Sequence, residues 1–195
     1  MKYNKTLKFN KINPKITIYL LIISIYLITG LSSNRYHKNY PTLILYPNNE
    51  KEVKQVKQYV VIRDPKMYNF IKLTDRSCSS AFVNYVNEDI QTLDNYTQKL
   101  VPLIIFLKNL FNRARPHQID PNINKYPSIS ASNPAFPSGH SVQAQYLAKI
   151  LSKKYPEKKQ QLYNIADKCG KARIYAGLHY PSDHEFAKFI VDILP

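Results

Sequence analysis

The chain has 195 residues, enough for one domain with a substantial core and short for two. Its hydrophobic fraction of 44% and charged fraction of 21% are ordinary for a globular protein, whereas its formal net charge of +15 is not, and fits either an anionic partner (nucleic acid, an anionic membrane surface or a phosphorylated substrate) or a plain compositional bias toward lysine. The two cysteines, Cys78 and Cys169, have no metal-ligand spacing; one disulfide and two separate buried thiols are equally compatible with them.

In chain order, residues 1–15 form a basic flank with five lysines and no acid, followed by the uncharged run Ile16–Leu31. With Ser32 and Ser33 this run reaches the length of a single membrane span over residues 16–33. The basic flank places the N-terminus on the cytoplasmic side, and its length favours a retained anchor over a cleaved signal peptide, although Gly30 and Ser32 suit cleavage. Either way the remaining domain lies outside the cytosol. Cleavage would make it secreted, and Asn95-Tyr96-Thr97 becomes a possible glycosylation site. No second stretch is long enough to span, so a multi-pass protein is not expected.

Residues 34–60 read as a linker, with a short strand at Thr42–Tyr46 and a polar surface helix at Glu50–Tyr59. From residue 61 to 195 the pattern is helical. Asp64-Pro65 opens a helix carrying Met67, Phe70 and Ile71. A second is expected over Ser79–Val86 and a third from Asp89 to Arg113. A fourth follows Pro137-Ser138-Gly139, a fifth follows Pro156, and the last opens at Pro181. Strand-like alternation is scarce. The expected fold is all-α, a bundle of about six helices behind the N-terminal hydrophobic segment.

Three blocks carry candidate chemistry. In the first, Lys108 and Arg115 stand seven apart, which on a helix puts them on one face about 10 Å apart, with Pro116 stopping the helix. Alone, this block reads first as a solvated basic face, as is usual for Lys and Arg on helices. In the second, Pro137-Ser138-Gly139-His140 places a hydroxyl and a glycine at a helix start. There backbone N–H groups can bind an oxyanion, and His140 can donate a proton. In the third, six residues separate Arg173 from His179, which opposes them on a continuous helix. Gly177 can end that helix in a left-handed turn and swing His179 back. Asp183, in the first turn of the next helix, can fix the tautomer of His179.

Together the blocks resemble the type 2 phosphatidic acid phosphatase (PAP2) superfamily, which includes bacterial acid phosphatases, lipid phosphate phosphatases and vanadium haloperoxidases. The pattern is Lys108-x6-Arg115-Pro116, Pro137-Ser138-Gly139-His140 and Arg173-x5-His179-x3-Asp183. Ala172 departs from it, standing where the family usually has Ser. The resemblance implies a metal-independent phosphatase domain over 61–195 that needs no cofactor. Lys108, Arg115, Ser138, Gly139 and Arg173 would bind phosphate. His179 would be the nucleophile forming a phosphohistidine, Asp183 its orienting acid and His140 the proton donor. Soluble phosphomonoesters and lipid phosphates both fit as substrates. Neither His117 nor His184 sits in a cluster at metal spacing, and a nucleic-acid surface would leave Gly139, His140, His179 and Asp183 unexplained. A vanadate-dependent haloperoxidase using the same pocket and a non-catalytic anion-binding membrane protein are the alternatives.

Overall fold

The structure, a computed structural model, describes Tyr36 and residues 45–195. The expected membrane segment and most of the expected short strand lie outside the described residues. Within them the protein is all-α, with no strand and no helix long and apolar enough to cross a membrane.

Local chemistry sets most helix starts. Asn48 caps α1 (Asn49–Val61), accepting hydrogen bonds from the N–H groups of Glu50 and Lys51. Asp64 caps α2 (Pro65–Thr74) through Met67 N–H at 2.6 Å, with Pro65 at the first helical position. A 3-10 turn at Cys78–Ala81 is all that forms of the helix expected at Ser79–Val86. Ser77, Ser79, Ser80, Asn84 and Asn87 crowd this stretch, and such side chains compete with the helical ladder. The helix expected over 89–113 is two: α3 (Ile90–Gln98), capped by Asp89, and α4 (Val101–Phe111). Pro102 has no N–H to continue a helix from α3, so it can only stand in the first turn of a new one. The short α5 (Pro116–Ile119) follows, then α6 (Gly139–Lys154), a 3-10 turn at Pro156–Lys158, α7 (Lys159–Tyr175) and α8 (Pro181–Ile193).

Helix α6 is the centre of the fold, packed along α7 and α8. Its Leu147 and Leu151 meet Leu93 of α3, Leu162 and Ala166 of α7, and Phe82. Its Val142 meets Ile104 of α4 and Ala187 and Ile190 of α8. Each such leucine contributes roughly 1.5–3 kcal/mol through burial. Both cysteines are free thiols within the first of these clusters. The residues expected to be linker include α1, whose Val53 and Val56 pack with Ile123, Ile174 and Tyr180. So α1 is a structural wall of the folded body.

Candidate active site

Lys108 lies in the last turn of α4, which ends at once: Asn112 adopts a left-handed conformation (φ 40°) and its N–H bonds the Lys108 carbonyl. Arg115 is therefore off the helix. Lys108 and Arg115 do share a site, but not through the helical face that their spacing suggests. Nor does Pro116 stop a helix; it opens α5, with Arg115 as the residue before it. Arg115 is held by the loop that leads to α6. Its Nε donates to Asn133 O (2.7 Å), Nη2 to Asn133 Oδ1 (2.9 Å) and Nη1 to Leu178 O (2.8 Å). Lys108 Nζ donates to Pro134 O at 2.6 Å from the same loop.

Helix α7 ends at Tyr175, and Gly177 takes φ 71°, so the chain turns as Arg173 and His179 require if they are to face each other. Arg173 is buried. Its Nη1 pairs with Asp75 Oδ1 at 2.8 Å and its Nη2 donates to Ser128 and Ser130 at 3.0 and 3.1 Å, while its buried Nε–H has no acceptor among the described residues. His179 follows the turn with both ring nitrogens engaged. Nδ1 is 2.9 Å from Asp183 Oδ2, and Nε2 is 3.2 Å from Arg115 Nη1. A guanidinium can only donate, so Nε2 accepts and Nδ1 carries the proton. The in-plane lone pair of His179 is thus on Nε2.

Lys108, Arg115, Gly139, His140, Arg173 and His179 line one cavity of about 240 Å³. Val101, Ile104 and Ile105 form an apolar wall, and Arg76, Ser130, Asn133 and Gln143 complete the lining. Two expected site residues stand behind it. Asp183 is buried, and the Ser138 hydroxyl is turned into the first turn of α6, 2.9 Å from Ser141 Oγ. His140 is half-buried, and its Nε2 lies 3.1 and 3.0 Å from the Thr74 and Asp75 carbonyls. Those acceptors fix Nε2 as an N–H and leave Nδ1 as the lone-pair nitrogen of a ring that lines the cavity.

The site is short of negative charge. Among the described residues neither Lys108 nor Arg115 has a carboxylate partner; both lean on carbonyls and amides. Burial, then Arg115, pushes the Lys108 ammonium well below the ordinary lysine value. Burial and Arg173 bring Arg115 to about 10, still protonated at neutral pH. Burial and Arg173 lower His140 to about 3, and burial with the surrounding cations holds His179 well below 6.5. Burial raises the Asp183 carboxyl, and Arg113 opposes it. Burial also acts on Asp75, but hydrogen bonds from Ser128 and Arg173 outweigh it and keep the carboxylate ionised. A ring of buried cations around neutral imidazoles is a site built to receive an anion.

Sequence reasoning missed Asp75, Ser128, Ser130 and Asn133, which hold the arginines from distant segments and carry no local pattern. It also missed Arg113, which lies inside the first block and pairs with Asp183 (2.6 Å) and Glu52 (2.6 Å). Ala172, the departure from the expected pattern, is buried with Ile71 and Leu178. His184 bonds Ser141 and Asp167 and stands apart from the cavity. Among the described residues no three His, Cys, Asp or Glu side chains converge as a metal-ligand set.

Lys108, Arg115, Gly139, His140, Arg173 and His179, which line the same cavity, all fall within residues 96–190, the part of the chain that matches the PAP2 superfamily. A more particular similarity is to the non-specific acid phosphatase of Salmonella typhimurium (strain LT2). The two are 33% identical over 58 residues, 30% of this chain and 23% of that protein. The match thus spans under a quarter of the relative's length. Glu52 and Asp75 both fall outside the family match.

Proposed function

We propose that the protein is a phosphoric monoester hydrolase working through a phosphohistidine at His179. The observation that carries this is the His179 tautomer: Asp183 holds Nδ1–H and Arg115 faces the Nε2 lone pair, at a cavity where Lys108 and Arg115 have no carboxylate partner among the described residues. Lys108, Arg115 and Arg173 bind the phosphoryl oxygens, with the N–H of Gly139 at the positive end of α6. The unpaired Arg173 Nε–H is one further donor available to an oxygen. The Ser138 oxygen accepts from the Ser141 N–H and hydroxyl, so its own O–H is the donor it has left for a phosphoryl oxygen.

The phosphate displaces the Arg115 contact from Nε2, which attacks phosphorus in line. The P–O ester bond breaks as the N–P bond forms, and the departing oxygen takes a proton from Nδ1 of His140. Asp183 stabilises the positive ring left on His179. Water then gives its proton to His140 and attacks phosphorus; the N–P bond breaks, phosphate leaves and His179 returns neutral. No step calls on a metal. Because His140 is neutral in the free site, the proton arrives with the substrate as its monoanion, or follows once the bound phosphate's charge raises the His140 pKa.

The soluble-ester branch is favoured by the acid phosphatase similarity; the apolar wall keeps lipid phosphates as the second substrate class. In this reading the N-terminal segment is a single-pass anchor and the catalytic domain sits on the non-cytoplasmic side. The test is hydrolysis of an aryl phosphate in EDTA by wild type and His179→Ala, with acid-labile phosphohistidine trapped by rapid mixing. Undiminished turnover in the variant would overturn the mechanism, and loss of all turnover in EDTA would overturn its metal independence.

A further inference from the structure

Arg113 is fully buried, and each of its five N–H groups meets an acceptor. Nε donates to Asn49 Oδ1 (2.9 Å). Nη1 donates to Ser182 Oγ (2.7 Å) and Asp183 Oδ1 (2.6 Å), and Nη2 to Pro47 O (3.3 Å) and Glu52 Oε2 (2.6 Å). Its face lies 3.8 Å from the Tyr180 ring centroid and 4.5 Å from that of Tyr46. Glu52 closes the group: it accepts Ser182 N–H (2.9 Å) and the Ser182 hydroxyl (2.5 Å), binding the start of α8 to α1. The order of charges running inward is therefore Glu52 negative, Arg113 positive, Asp183 negative, then His179.

We infer that Glu52 and Arg113 are positioning residues that set the orientation and the charge felt by the Asp183–His179 pair. Arg113 fixes Oδ1 of Asp183, which leaves Oδ2 for His179 Nδ1–H and Tyr180 N–H. Glu52 offsets the charge of Arg113, so that Asp183 keeps a full negative field at the imidazole. The device spans two parts of the chain, since Glu52 lies on α1, ahead of the family match, and Asp183 lies within it. This inference rests on the reading of His179 as the nucleophile, but its central measurement does not.

The other groups facing His179 are Lys108 from α4, Arg115 from the loop before α5, His140 from α6, and Arg173 of α7 with Asp75 behind it. They remain in place in every variant below, so each shift is read against a constant background. Removing one charge at a time gives opposite signs. Arg113→Met removes a positive charge, and His179 takes its proton at higher pH. Glu52→Gln removes a negative charge, and His179 resists its proton to lower pH. The double variant restores the local net charge.

The experiment is an NMR titration of the His179 imidazole in full-length protein without substrate, alongside pH profiles of kcat/KM on an aryl phosphate. Arg113→Met should raise the His179 midpoint by about one unit or more, and Glu52→Gln/Arg113→Met should return it most of the way. In Glu52→Gln the acid limb of kcat/KM should move down, with kcat lower by about tenfold and KM little changed. A purely structural role would lower thermal stability in all three and move neither midpoint nor limb, which would overturn the inference. If Arg113→Met does not fold, the direction of the Glu52→Gln limb decides. Shifted midpoints in a protein with no phosphatase activity would uphold the positioning device and reject the phosphatase reading. Activity with unshifted midpoints and limbs would do the reverse.

Discussion

Replacing Asp183 by Asn tests the nucleophile with the smallest possible change of shape. Asp183 Oδ1 accepts from Arg113 at 2.6 Å, and Oδ2 accepts from Tyr180 N–H at 3.0 Å and His179 Nδ1–H at 2.9 Å. An amide has one oxygen for these two places. The charge-assisted bond to Arg113 is the stronger claim on it, so the NH2 turns toward Tyr180 and His179. Two N–H groups cannot share a line, and His179 responds by moving its proton to Nε2. That proton then points at Arg115 Nη1, 3.2 Å away, and the lone pair proposed to attack phosphorus is gone. A wrong tautomer in a comparable His–Asp pair slows kcat by about 10⁴-fold; a loss of about 10³ to 10⁴, or about 4–5.5 kcal/mol, is expected here. The assay is kcat on an aryl phosphate, with nitrogen-15 spectra reporting which His179 nitrogen is protonated and a melting curve confirming the fold. A folded variant that retains the Nδ1–H tautomer, or keeps more than about a tenth of wild-type kcat, would refute the reasoning.

His140→Ala should lose about 10²-fold or more on alkyl phosphates and far less on nitrophenyl phosphate, whose leaving group needs no proton; equal losses would remove His140 as the acid. Gly177→Ala should destabilise by about 1–2 kcal/mol, because φ 71° is strained for alanine and its Cβ would stand 2.9 Å from Ile123, with a larger loss of kcat as His179 is displaced; urea melts and turnover separate the two effects. Gly170→Ala should destabilise by about 2 kcal/mol or more, since its Cβ would fall 2.0 Å from His184 Nδ1, and adding His184→Ala should recover part of the loss in a double-mutant cycle. Stability without substrate should fall as pH drops from about 6.5 toward 4. The unfolded chain takes up protons there that His140 and His179, with lowered folded values, do not. Melting temperature against pH checks the sign, and added inorganic phosphate should flatten the slope.

The parts that were legible in the sequence are those that local physics controls. Asp64-Pro65 and Pro181 announce helix starts because a cap or a missing N–H acts within one turn, and Gly177 announces a reversal because few other residues accept its φ. Lys108 and Arg115 show a different case: the residues were found by their spacing, yet the helix that was meant to join them ends at Asn112. Asparagine is one of the residues that tolerate a left-handed cap, so the signal was present and was outweighed by the apolar run before it. Asp75, Asn133 and Glu52 were not legible at all. Each acts on an arginine from a segment remote in sequence, and a carboxylate or amide carries no local mark of the partner it will meet. Glu52 was further hidden by a polar stretch whose only buried apolar stripe is Val53 and Val56.

The two thiols are sealed in the core between α6 and α7, and burial drives Cys169 to about 12 and Cys78 upward as well. A sulfur that is neither ionised nor reachable does not react with an alkylating reagent. Labelling therefore records openings of the bundle: each modified molecule is one that came apart around α6, and the rate of labelling is a clock for that event. The same helix presents Gly139 and His140 to the cavity at its N-terminus. A phosphate ligand that clasps this end should slow the clock, which gives a way to watch occupancy of the site through atoms in the interior, without any chromogenic substrate.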